Sequence, residues 1–340
     1  MEEYKKLFNT IIEFKKLSPW KWMSNGDLLC VEHPRTKQKG YCCVMGEGGE
    51  IFGLALYLDQ EGLRWLLDRM EDIPIDTYSH YAQDYIAVTF GNANELDKEG
   101  KELIQSLGLQ FKGKLAYPLL SRLSPGSISR FISEEEAEFL NIALEQVMQI
   151  APKVKEDSDY LFPIDDKVLV LKEEGEDNQK KWVENWIETE KLLTPGVTDI
   201  SIFSKQLPLL KKFQVNNSLT WAADMYFIPE PVVDKKGDTP FFPLTIILVD
   251  LGTEMILSFK ASNFAEYKIE VQKTFIEAVD LIKRIPGKIV TIRPELFFAL
   301  APFQKALGIE MVQVGHIPAV ENIKKEFLSG FKGFRGKHKK

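Results

Sequence analysis

The chain has 340 residues, of which 44% are hydrophobic and 27% charged, and a net charge of −7. That length suggests two domains, and the composition is ordinary for a globular protein, so neither a disordered chain nor a fibre is expected. The longest apolar run, Phe241–Val249, contains Pro243 and is far shorter than the roughly 18 residues a membrane span needs, so no membrane partner is expected. The opening Met1-Glu-Glu-Tyr-Lys-Lys is acidic and amphipathic, which does not suggest a signal peptide.

Three cysteines, Cys30, Cys42 and Cys43, lie close together with no framework spacing. They read as reduced thiols of a cytoplasmic protein, packed inside a hairpin. His33 brings the nearby ligand types to four, but they lack the paired spacing of a structural zinc site, so no metal is expected there. Charge is unevenly spread. Residues 134–190 hold 17 acidic and 6 basic side chains, whereas residues 332–340 carry five Lys/Arg and no acid. Setting that tail aside leaves the rest at −12, a poor surface for gripping phosphates. Contact with nucleic acid is therefore expected only through the basic tail.

In chain order, Leu7, Phe8, Ile11, Ile12 and Phe14 predict an amphipathic helix over 5–17, closed by Ser18-Pro19. Strands follow at 28–32, 40–45 and 51–58, then a helix at 62–70, a strand at 84–90 and a helix at 96–107. Ser133-Glu-Glu-Glu136 is a capping box that starts a long helix, with Phe139, Leu140, Ala143, Leu144 and Val147 as its stripe and Pro152 as its expected stop. These elements make an N-terminal α+β domain over 1–152. Residues 153–217 read as a linker region in which 168–172 and 181–188 pair as a hairpin, or in which Trp182, Val183, Trp186 and Ile187 form a helix. Residues 218–331 read as a C-terminal α/β domain of order β-β-β-α-β-α-β-α, followed by the basic tail 332–340. The expected fold is α/β and α+β in two domains, the second with a mixed sheet.

The segment Gly46-Glu-Gly-Gly-Glu-Ile-Phe-Gly53 has the glycines of a phosphate loop but leads into a strand, and it lacks Gly-Lys-Ser/Thr. A phosphate cradle needs a helix N-terminus after the loop, so a hairpin connection is expected. The histidines His33, His80, His316 and His338 are scattered, and there is no Gly-x-Ser-x-Gly elbow.

Two resemblances stand beside this reading. The stretch Cys43–Leu58 with Glu61-Gly62-Leu63 resembles the N-terminal signature of a bacterial family of domain-of-unknown-function proteins, whose partner domain the C-terminal half also resembles. That resemblance implies no activity. The C-terminal element order resembles ribonuclease H-like and integrase-core domains. There, a first-strand Asp, a carboxylate after strand four and an acid on the last helix hold two magnesium ions that clamp a phosphodiester. Carried over, Trp221-Ala-Ala-Asp224 matches the family's Trp-x-x-Asp, Asp250 a hairpin Asp without catalytic duty, and Glu321 the last-helix acid.

The second catalytic Asp is missing. Ile292-Arg293-Pro294-Glu295 stands there, so only Glu295 could substitute for it. The weak catalytic candidates are thus Asp224, Glu295 and Glu321, with Asp224 and Glu321 as weak metal ligands and Mg²⁺ as the alternative cofactor to none. Arg293 is expected to enter the space between the acids. The leading expectation is a non-catalytic protein acting on an unknown protein partner. The alternative is a nucleic-acid processing or binding protein, active or decayed.

Overall fold

The computed structural model describes residues 1–162, 166–175, 180–193, 201–235 and 239–335, without the side chains of 201–205 and 329–335. It divides into two units. The first holds residues 1–75, 82–124 and 128–195, and the second holds 76–81, 125–127 and 196–340.

The first unit is built on a seven-stranded sheet of β1 (Leu29–Glu32), β2 (Lys39–Met45), β3 (Gly53–Leu58), β4 (Tyr85–Gly91), β5 (Tyr117–Leu123), β6 (Lys167–Glu174) and β7 (Lys181–Glu188). The spatial order is β5-β4-β3-β2-β1-β6-β7, antiparallel except where β6 runs parallel to β1. Alternation along the strands divides the core in two. Leu29, Val31, Leu54 and Leu56 meet α1 (Glu2–Leu17) and α5 (Glu134–Glu156) on one face. Cys30, Tyr41, Cys43 and Tyr57 meet α2 (Asp59–Met70) and α6 (Thr189–Leu193) on the other. Period-two side chains and two covered faces produce this layering. All three cysteines are buried and free.

The helix α5 carries the expected capping box: Ser133 Oγ accepts from Glu136 N, and the Glu136 carboxylate accepts from Ser133 N. It does not stop at Pro152. It continues to Glu156 because Ala151 and Val154 are buried on the same stripe, and that packing outweighs the hydrogen bond a proline removes. Of the two readings for 168–188, the hairpin forms. It extends the first sheet from within the stretch read as a linker, Val168 pairing Ile187 and Leu169 pairing both Leu29 and Trp186. Residues 176–179 between its strands and residues 194–200 lie outside the described residues, as do the last five residues of the tail. The loop Gly46–Phe52 is a hairpin connection between antiparallel β2 and β3, closed by Gly49 N donating to Gly46 O at 3.0 Å.

The second unit has a five-stranded mixed sheet of β8 (Val215–Phe227), β9 (Leu244–Asp250), β10 (Met255–Ser262), β11 (Ile285–Thr291) and β12 (Glu310–Gln313), in the order β10-β9-β8-β11-β12. The first three strands are antiparallel, and β11 and β12 run parallel to β8. Connecting helices α8 (Tyr267–Ile282) and α9 (Pro294–Leu307) bury Phe275 and Phe303 beside Trp221. On the opposite face, α10 (Pro318–Arg335) brings Val320 against Ala222, Tyr226, Ile247 and Val249. The mixed α/β content and two-domain plan match the fold class expected from sequence. From β8 to α10 the element order is the expected β-β-β-α-β-α-β-α, preceded by a helix that was not expected, α7 (Ser201–Leu210), and Lys283 adopts a left-handed φ of 55° that ends α8 and lets Ile285 enter the sheet. Two short segments joining this unit, one of them α3 (Thr77–Tyr81), come from the first half of the sequence.

Candidate functional site

Asp224 lies near the end of β8, on the strand face that carries Ala222 and Tyr226 toward α10. It is 1% exposed, and a carboxylate so buried must be paired or protonated. Two cations meet it. Arg293, the residue just before α9, places Nε 3.4 Å from Asp224 Oδ1, and Lys324 on α10 places Nζ on Oδ2. Met225 N donates to Oδ1 at 2.8 Å. Lys324 Nζ also stands 5.3 Å from the Tyr226 ring centroid.

Arg293 is itself shared. Its Nη2 binds Asp76 Oδ2, and its guanidinium carbon lies 4.4 Å from the Tyr78 ring centroid. Burial pulls the Arg293 pKa down, but Asp224 and Asp76 outweigh it and hold it above the usual value. For Asp76, burial works to raise the carboxyl, while Arg293 and the hydrogen bonds from Ser79 hold it below the ordinary Asp range. The result is a chain of alternating charge, Lys324, Asp224, Arg293, Asp76, that is buried at Asp224 and reaches the surface at Asp76.

Arg293 was expected between Asp224 and Glu321; it meets Asp224, but its other acid is Asp76. Glu321 does not supply the last-helix contact: its Oε1 lies 2.7 Å from His316 Nδ1 on the exposed side of α10, and Lys324, three residues on, faces Asp224. Glu295 lies half-buried in the first turn of α9. Asp250 closes the β9–β10 turn, its Oδ1 accepting from Gly252 N at 2.8 Å and Thr253 N at 3.0 Å. That is a turn-holding role. Among the described residues, no group of three or more His, Cys, Asp or Glu side chains is placed to hold a metal ion. The donor set around Asp224 does not fit Mg²⁺ either. A divalent cation wants several oxygens, and here one carboxylate faces two positive side chains. The tryptophan and aspartate at 221 and 224 were readable in the sequence, but Lys324, Asp76 and Tyr78 were not.

Two other clefts hold polar side chains. One, in the first unit, is lined by His33, Arg35, Arg122, Glu135 and Glu136 over Phe139. Its charges are internally matched, with Arg122 bridging Asp84 and Glu136. The other, in the second unit, includes Glu230, Asp234, Glu266 and Glu270 beside Lys260, and the buried Glu270 is paired with both Lys260 and Lys273.

Residues 4–172 match the family model of a domain of unknown function, DUF7309, and residues 206–328 match a second, DUF6930. The chain joins two domains of unknown function. No curated protein matches it. The charge chain thus belongs, through Asp224, Arg293 and Lys324, to the DUF6930 region, while Asp76 and Tyr78 come from within the DUF7309 match. No helix among the described residues is long and apolar enough to cross a membrane.

Proposed function

We propose that the chain is a non-catalytic cytoplasmic protein that works by binding another protein, and that its DUF6930 region is a ribonuclease H-like scaffold with a decayed metal site. One observation carries this reading: Asp224, the residue that resembles the scaffold's first-strand acid, is held between Arg293 and Lys324. Those two cations come from the segment after the fourth strand and from the last helix, the places where the resemblance calls for acids. Three antiparallel strands followed by two parallel ones, each preceded by a helix, support the scaffold assignment. Two cations at a single buried carboxylate repel a metal ion and leave no vacant ligand. Free buried thiols support a reducing compartment.

The test is calorimetric. A millimolar Mn²⁺ site would add about 1.4 kcal/mol of stability at ten times its dissociation constant. The wild-type chain is expected to gain nothing from Mn²⁺ or Mg²⁺, and retention on heparin at low salt is expected to vanish on deletion of 332–340. Mn²⁺ stabilisation that disappears with Asp224→Asn, or salt-dependent nucleic-acid binding by the truncated chain, would replace this reading with the nuclease-like one.

A further inference from the structure

The outer side of Arg293 is occupied by a short segment of the chain's own first half, residues 76–81, which belongs to the second unit. Its contacts have the chemistry of peptide recognition. Asp76 presents its carboxylate to Arg293 Nη2, and that carboxylate is pre-oriented by Ser79, whose N and Oγ both donate to Asp76 Oδ1 at 2.7 Å. Tyr78, 5% exposed, lies under the Arg293 guanidinium and stacks on Phe227 with centroids 5.6 Å apart and planes 28° from parallel. Tyr81 packs against Phe242 at 4.3 Å and Phe227 at 5.8 Å. Its carbonyl accepts from Gly126 N at 2.7 Å, and Gly126 O in turn accepts from Phe242 N at 2.6 Å.

An arginine that takes a carboxylate, beside an aromatic shelf that takes two tyrosines, is an anchor-and-pocket arrangement. The segment that fills it is only a single helical turn. A five-residue helix has little stability of its own and is held by what it docks on.

We infer that the shelf of Arg293, Phe227 and Phe242 is a recognition site for an acidic, aromatic peptide of the form Asp-x-Tyr-x-x-Tyr. In this chain the site is closed in cis by residues 76–81, and a protein partner carrying the same chemistry engages it when that segment leaves. This rests on the protein-binding reading above and names the partner's chemistry. A tethered segment faces its own site at an effective concentration in the millimolar range, so the cis segment masks the site from weak competitors and yields only to a partner that binds better. The specificity follows from the groups present. A peptide with Asn for Asp leaves Arg293 with one carboxylate fewer, and one with Ala for the first Tyr leaves the stacked guanidinium and Phe227 uncovered.

The test uses a fluorescent peptide of residues 74–83 and the full-length chain. A chain carrying Asp76→Ala and Tyr78→Ala is expected to bind it with micromolar affinity by anisotropy. Wild type should bind at least about tenfold more weakly because the cis segment competes. Adding Arg293→Ala to the doubly substituted chain should abolish binding, as should an Asp-to-Asn peptide. Equal binding by wild type and variant, or undiminished binding of the Asn peptide, would overturn the proposal. So would no binding by a variant that keeps its melting transitions. The milder Asp76→Asn guards against a variant that does not fold. Its amides at 77–82 should exchange about tenfold faster while those of β8 and β11 stay unchanged, and unchanged exchange at 77–82 would also overturn the proposal. Metal binding at Asp224 would sink the non-catalytic reading without altering these peptide results, so the two failures are distinguishable.

Discussion

Replacing Arg293 by Met keeps an apolar stem of similar reach and removes the charge that lies between Asp224 and Asp76. At the 3.4 Å Nε–Oδ1 separation and an effective dielectric of about 20, the gross attraction to Asp224 is about 5 kcal/mol. Most of that is offset by desolvating the two ions, so the net worth of the pair is small. Removing one partner is a different matter, because Asp224 then stays buried with less compensation, at a usual cost of about 3–5 kcal/mol. Lys324 remains on Oδ2, which puts the expected loss at the low end, about 3 kcal/mol. In a unit of this size that lowers the melting temperature by roughly 6–12 °C. The assay is differential scanning calorimetry at pH 7, followed through the transition assigned to the second unit. Adding Asp224→Asn removes the stranded charge, so the double variant should lose about 1–2 kcal/mol less than the sum of the two single losses. A loss below about 0.5 kcal/mol for Arg293→Met, or strict additivity, would refute the buried-pair reasoning, because those are the values of a surface residue.

Ser133→Ala removes the Oγ that accepts from Glu136 N and is expected to cost about 1 kcal/mol in a thermal melt. Its partner supplies a pH signature. Burial tends to raise the Glu136 carboxyl, but hydrogen bonds from Arg130 and Ser133 N outweigh it and leave the group below the usual Glu range. A depressed folded-state pKa gives stability that is complete above the unfolded value and is lost as pH falls through the folded one, so Glu136→Gln should flatten the acid limb of the stability profile. Gly53→Ala should be severe: a Cβ there would stand 2.1 Å from Val88 O on the neighbouring strand, forcing β3 and β4 apart. We expect a loss above about 3 kcal/mol or insoluble protein, and a wild-type melting curve for this variant would contradict the close approach.

What the sequence revealed depended on how local the cause was. The Ser133 capping box, the Ser18-Pro19 stop of α1 and the alternating apolar strands are written within windows of a few residues, and they formed where the pattern placed them. The C-terminal order was legible because each strand there is bounded by a helix or a turn, and Asp224 stood out only through the resemblance of Trp221-Ala-Ala-Asp224 to the first-strand motif of ribonuclease H-like domains. Pro152 misled because the local penalty of a proline is outweighed by the burial of Ala151 and Val154, which depends on a sheet far away in sequence. The short α3 and strand β5 were missed for a similar reason. Tyr78 and Tyr81 are organised by Phe227 and Phe242, and the Pro118 in β5 masks an otherwise clear alternation. Lys324 was hidden by the acid beside it in the helix. Which of two neighbouring charged residues turns inward is set by helix phase against the sheet, and here it is Lys324 rather than Glu321.

The arrangement around Asp224 also has a direction in time. Lys324 is synthesised a hundred residues after Asp224, and Arg293 about seventy after it. At about 5–20 residues per second, the aspartate waits some 5–20 s for its second cation. Until Arg293 and then Lys324 emerge, β8 carries a charge that opposes its own burial. The two segments at 76–81 and 125–127, finished long before, must stay available until the strands they dock on emerge. A nascent chain halted before residue 227 would therefore expose the tyrosines of α3, and one halted between 227 and 293 would hold Asp224 without either cation, the sort of surface chaperones bind.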